Sequence, residues 1–208
     1  MIGELITTVE LEYDNQAAER CGTCTKCIDS CPTDAITSPY EIDSSKCISF
    51  LTIENKEGIP REYREPLGNN IFGCDICQDV CPWNGESKTG TEQSFLPREG
   101  FFEPVLDTIA GLDQKQFSKL FKNSPIKRSK RRGLLRNVLV AIGNSGDDYF
   151  ENQVLKLLGD EEPLVRKHAV WALYKICGIK YADKFNMMLI DEQDEEVLEE
   201  LKFVLSIV

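Results

Sequence analysis

A chain of 208 residues is long enough to bury a sizeable core and suggests one or two domains. It is 41% hydrophobic and 28% charged. It contains no run of about 18 apolar residues that would read as a membrane span, and Met1 to Ile6 lack the basic and long apolar regions of a signal peptide, so the cytoplasm is the expected compartment. A net charge of −11 argues against nucleic acid as the default partner, and nine cysteines beside a single histidine argue for metal binding rather than disulfides.

In chain order, residues 1–20 read as a lead-in, in which the loose alternation from Thr7 to Tyr13 predicts a strand. Every cysteine but Cys177 then falls between 21 and 84. The first motif is Cys21-x2-Cys24-x2-Cys27-x3-Cys31-Pro32; the second is Cys74-x2-Cys77-x3-Cys81-Pro82, with Cys47 between them. The first run has the bacterial ferredoxin spacing, in which three closely spaced thiolates cap one 4Fe–4S cubane and the fourth cysteine ligates the other cluster. That pattern assigns Cys21, Cys24, Cys27 and Cys81 to one cluster and Cys31, Cys47, Cys74 and Cys77 to the second, with Cys47 filling the place the shorter motif leaves open. Two four-cysteine zinc sites are the alternative, since Cys-x2-Cys pairs also serve zinc.

Residues 85–100 read as a linker or surface loop. From about 104 onward apolar residues recur at three- and four-residue spacing, which predicts helices. This half repeats: Val138, Ala141 and Ile142 find counterparts in Ala169, Ala172 and Leu173, and again in Leu201, Val204 and Leu205. Pro163, placed after three acidic residues, predicts the first turn of a helix like the second helix of a HEAT repeat; an unrelated helical bundle is the alternative. The expected fold class is therefore α+β and mostly helical: a bacterial ferredoxin-like two-cluster module over 1–90, followed by a HEAT-like repeat domain over 104–208.

Charge is uneven. Seven basic and no acidic residues lie between Lys122 and Arg136, whereas eight acidic residues and two lysines lie from Asp183 to Lys202. If the basic segment is one helix, Arg128, Arg132 and Arg136 form a stripe flanked by Lys127, Lys130 and Arg131, able to track a phosphate backbone. A solvated face is the competing reading, and it is the one expected for the acidic C-terminus. Cys177 is expected as a buried apolar thiol, His168 as an exposed or capping residue, Trp83 as a shield between a cluster and water, and Trp171 as core or surface of the repeats.

The segments Cys31-Pro32-Thr33-Asp34-Ala35-Ile36, Cys47 to Glu54, Gly68 to Cys77 and Cys81-Pro82-Trp83-Asn84 closely resemble the epoxyqueuosine reductases, as do Ser124 to Asn137 and Ala141-Ile142-Gly143-Asn144. The resemblance implies a cobalamin-dependent reduction of epoxyqueuosine to queuosine in tRNA, with two 4Fe–4S clusters relaying electrons from an external donor and a HEAT-like domain gripping tRNA. It further implies a cobalamin contact near Ser49 and Asp75, for which loop capping is the alternative, and a tRNA contact at Lys56 beside the basic segment. The family's catalytic aspartate and most of its corrin site belong to a domain ahead of a segment like Gly3-Glu4-Leu5-Ile6. No catalytic residue is therefore assigned here, and that domain is expected as a possible separate partner. A stand-alone 4Fe–4S electron carrier with a helical protein-docking domain is the rival expectation.

Overall fold

The computed structural model describes residues 3–18, 21–85, 90–93, 96, 101 and 104–207. Most of the predicted 85–100 linker lies outside the described residues.

Residues 3–18 are exposed throughout and form no strand, contrary to the reading of Thr7 to Tyr13. Alternation defines a face that could be buried, but a strand also needs a neighbour to take its N–H and C=O groups, and none is present among the described residues. The two strands that do form, β1 (Ile36–Ser38) and β2 (Glu41–Ile42), make a small antiparallel hairpin.

The cysteine region is built on two short helices of the same shape, α1 (Lys26–Asp29) and α4 (Ile76–Asp79). Each follows a residue with nearly the same backbone angles, Thr25 and Asp75, and each is closed by a matching turn: Cys31 N–H donates to Ile28 O and Cys81 N–H to Gln78 O, both at 3.2 Å. Between them lie α2 (Ile48–Ile53), which starts at Cys47, and α3 (Arg61–Arg64).

The remaining helices are α5 (Leu106–Ala110), α6 (Gln114–Leu120), α7 (Lys130–Ser145), α8 (Glu151–Leu157), α9 (Pro163–Cys177), α10 (Ala182–Asp191) and α11 (Glu195–Ser206). Pro163 opens α9, where its missing N–H and fixed φ cost nothing. Helix α9 is the hub, packed against α7, α8 and α11. Gly143 lets α7 approach closely, because a Cβ there would overlap the Trp171 ring. Trp171 is thus core, as one of its two expected readings had it. Leu139, Ile142, Val165, Leu173 and Leu201 are fully buried in this core, each contributing about 1.5–3 kcal/mol.

The cysteine region does not stand apart from these helices. Ile48, Leu51, Ile59 and Leu67 belong to the same continuous apolar core. Two buried charges complete the junction. Arg64 donates to both carboxylate oxygens of Glu200 on α11, at 2.8 and 3.0 Å, and to Ile59 O. Arg61 reaches the same carboxylate from the rim. Glu200 therefore departs from the solvated face expected of the acidic C-terminus. His168 also departs from expectation: it is buried, with Ile59 N–H donating to Nε2 and Nδ1 facing Leu164 O. Burial first, then the Arg64 cation, holds its pKa well below the usual imidazole range, so the ring is neutral.

Candidate metal centres and a basic surface

Two cavities open in the cysteine region. Cys21, Cys24, Cys27 and Cys81 line the first, about 270 Å³ in volume, together with Lys26, Pro82 and Trp83. Cys31, Cys47, Cys74 and Cys77 line the second, among Ala35, Ile36, Ile42, Ile48 and Ile76. The crossing of Cys31 and Cys81 has a local cause. Each sits just past its four-residue helix, where the closing turn sends the chain away from the thiols that precede it. Trp83 stands at the rim of the first cavity and is 60% exposed, so it flanks that cavity rather than sealing it.

The thiols of the second cavity feel one another. Burial pushes Cys74 and Cys77 above the usual thiol range, and neighbouring thiolates (Cys47 and Cys31 at Cys74; Cys74 and Cys47 at Cys77) push them further. Burial pushes Cys31 upward as well, but the backbone amides of Thr33 and Ala35 outweigh it and bring Cys31 below that range. One of these bonds runs from Ala35 N–H to Sγ at 3.3 Å. Four thiols lining one cavity, with an N–H donor aimed at Cys31 Sγ, are suited to a cationic iron cluster, which would hold them as thiolates. Among the described residues, no group of three His, Cys, Asp or Glu side chains is arranged for a single metal ion.

Ser49 is half-buried in the first turn of α2, and Asp75 is exposed, accepting a hydrogen bond from Gln78 Nε2 at 3.1 Å. Each adjoins a lining residue of the second cavity, Ile48 in one case and Cys74 and Ile76 in the other.

The basic segment does not form the expected stripe. Residues Pro125–Ser129 are a 3-10 turn, so Arg128 lies outside α7, which begins at Lys130. Arg136 is buried, donating to the carbonyls of Leu51, Asn55 and Glu57 at 2.6, 3.0 and 2.5 Å. Burial and then the nearby Arg132 cation bring its pKa down to about 10, against an opposing pull from the Glu57 carboxylate. Arg131 is clamped by Asp160 at 2.7 Å and by Leu112 O. Arg131 and Arg136 are therefore structural and leave the surface patch. Lys127, Arg128 and Lys130 are exposed, Arg128 pairing with Glu54. Arg132 is partly exposed and 3.6 Å from Glu162. Lys56 is half-buried, its Nζ donating to Ile53 O and Arg128 O.

Cys177 is half-buried at the core edge, 3.4 Å from Glu151 Oε2. Burial, with the Glu151 carboxylate, pushes its thiol up to about 11. Glu200, His168, Asn137 and Thr52 were not legible as junction residues; only their hydrophobic neighbours mark them as lying on buried faces.

Known families and structures resemble this chain in both halves. Residues 20–84 match the 4Fe-4S double cluster binding domain, and residues 126–206 match HEAT repeats. Epoxyqueuosine reductase of Xanthomonas campestris pv. campestris is 40% identical over 173 residues, covering 83% of this chain and 49% of the relative. That of Escherichia coli K12 is 40% identical over 172 residues, covering 83% and 45%. Among solved structures, epoxyqueuosine reductase from Bacillus subtilis superposes with a TM-score of 0.89 at 31% identity, covering 95% of this chain and 53% of that one. An epoxyqueuosine reductase with a tRNA-Tyr epoxyqueuosine-modified stem loop superposes with a TM-score of 0.87 at 31% identity, covering 94% and 52%. The chain thus spans about half the length of the relatives it matches.

Proposed function

We propose that the chain belongs with the epoxyqueuosine reductases and is the electron-relay and tRNA-binding part of such an enzyme, acting in the cytoplasm. The observation that carries this reading is the lining of two cavities by two sets of four thiols, within a segment that matches a double 4Fe–4S domain. In this reading Cys21, Cys24, Cys27 and Cys81 hold one cluster, and Cys31, Cys47, Cys74 and Cys77 hold the other. The first cavity has the more exposed cysteines, Cys21 and Cys24, and faces an external electron donor. Ser49 and Asp75 contact cobalamin from the side of the second cavity. Cobalamin, when bound, supplies the strongly reducing centre for removal of the epoxide oxygen; the chain's share is to hold and orient it. The remaining corrin contacts and the proton donor come from the portion of the family's protein that this chain does not span.

Lys127, Arg128 and Lys130, with Arg132 and Lys56 beside them, take tRNA phosphates. Arg128 exchanges Glu54 for phosphate when RNA arrives. Contacts of this kind position RNA and do not read its bases, so binding is salt-dependent and shows little preference among tRNAs.

Anaerobic reconstitution tests the reading: about eight irons and eight sulfides per chain are expected. Two zincs without acid-labile sulfide overturn it. Cys47→Ser should remove or convert one cluster only. A salt titration of tRNA affinity tests the surface. Lys127→Glu with Arg128→Glu and Lys130→Glu should flatten the slope of log affinity against log salt by about 2–3, with iron content intact. An unchanged slope assigns the patch to solvent. Epoxyqueuosine in tRNA, followed by nucleoside analysis, should be converted only when the portion of a relative that this chain does not span is joined to it.

A further inference from the structure

A buried polar node joins helix α7 to both backbone segments that lead into the second cavity. Thr52 and Asn137 are fully buried. The Thr52 hydroxyl donates to Ile48 O at 2.8 Å and accepts from Gly73 N–H at 2.9 Å. Gly73 directly precedes Cys74 and has φ +83, a conformation that favours glycine. Both Nδ2 hydrogens of Asn137 are used, one on Thr52 O and one on Ile71 O, each at 2.8 Å, while Oδ1 accepts from Arg136 Nε at 3.0 Å. Arg136 in turn holds the end of α2 through Leu51, Asn55 and Glu57. The acceptors are not scattered over the junction. They belong to α2, whose first residue follows Cys47, to the turn directly after it, and to the Ile71–Gly73 loop that delivers Cys74.

We propose that Thr52 and Asn137 are positioning residues of the second cluster: through them the helical half sets the separation and orientation of Cys47 and Cys74. The inference rests on the two-cluster reading above. It makes α7 part of the electron-relay site and goes beyond its roles in packing and RNA binding. Among the described residues, no side chain of the helical half bonds the backbone of Cys21, Cys24 or Cys27, so the control is confined to one of the two clusters. The same network leads outward, since Arg136 holds the carbonyls of Asn55 and Glu57, which flank Lys56 at the basic surface.

The experiment compares reconstituted wild-type chain with Thr52→Val, Thr52→Ser and Asn137→Asp, reading iron content and the electron paramagnetic resonance of the reduced clusters. Cys47→Ser, which alters only the second cluster, identifies the signal of the first as the part it leaves unchanged. Thr52→Val removes the acceptor of Gly73 N–H at nearly constant volume, and Asn137→Asp replaces two donors with acceptors at constant shape. Both should shift the second cluster's signal and potential, or lose that cluster and about half of the iron, while the first cluster's signal stays. Thr52→Ser, which keeps the hydroxyl, should restore wild-type spectra. Two unchanged clusters in both variants overturn the proposal, as does loss of both clusters together, which marks the node as merely structural. Should Thr52→Val fail to fold, Asn137→Asp decides the matter by the same readings. A wild-type chain without iron and sulfide defeats the two-cluster reading itself, so the two failures are told apart.

Discussion

The two ends of this molecule are held by different forces. In the helical half, α7, α9 and α11 bury a dense set of Leu, Ile, Val and Ala side chains. In the stretch from Cys21 to Cys47, the buried residues are only Thr33 and Ala35. A segment that buries so little apolar surface cannot offset the entropy of ordering its backbone, so its stability must come from ligation. Between the two lies a junction of a third kind, where charged and polar side chains (Arg64, Glu200, Arg136, Asn137, His168) are buried with their partners fully paired. Among the described residues no buried side-chain nitrogen or oxygen lacks a partner.

The comparison breaks most visibly if the metal is taken away. Stripping iron with an oxidant and chelator should abolish amide-exchange protection over residues 21–47 and 74–84, leaving α7, α9 and α11 protected. Simultaneous loss of protection in the helices would show one cooperative unit and end the distinction. The junction gives the next largest effect. Glu200→Ala leaves Arg64 charged and buried, and should lower the unfolding free energy by about 3–5 kcal/mol in denaturant titrations. Arg64→Met combined with Glu200→Leu should recover most of that loss.

His168 gives a smaller effect, dependent on pH. Its folded pKa lies well below the unfolded value of 6.5, so the unfolded chain binds the proton first. The stability it contributes is present above about pH 6.5 and falls on acidification, by up to about 1.4 kcal/mol per pH unit. His168→Gln should flatten the wild-type slope between about pH 5.5 and 6.5; parallel slopes would place the titrating group elsewhere. The smallest effect belongs to Cys177. Its raised pKa and distance in sequence from the motifs make Cys177→Ser neutral for iron content, with a stability change within about 1 kcal/mol. Loss of iron in that variant would show that the helical half takes part in ligation.

The sequence by itself determined the local chemistry. The spacing of the cysteines, the proline that opens α9 and the three-to-four periodicity from 104 onward are short-range properties, because a helical turn or a ligand loop spans only a few residues. It could not show which members of a charge run face water. Arg136 and Arg128 look alike in the run, yet Arg136 is sequestered by carbonyls 79–85 residues away and Arg128 is exposed. Glu200 looks like its acidic neighbours until α11 docks against α3, and His168 looks like a surface residue until the loop at Ile59 closes over it. Thr7 to Tyr13 has the alternation of a strand and forms none, since pairing requires a second segment that alternation does not specify. Burial of a polar group depends on whether distant chain supplies its hydrogen-bond partners, and that pairing was decided only when the cysteine region and the helices came together.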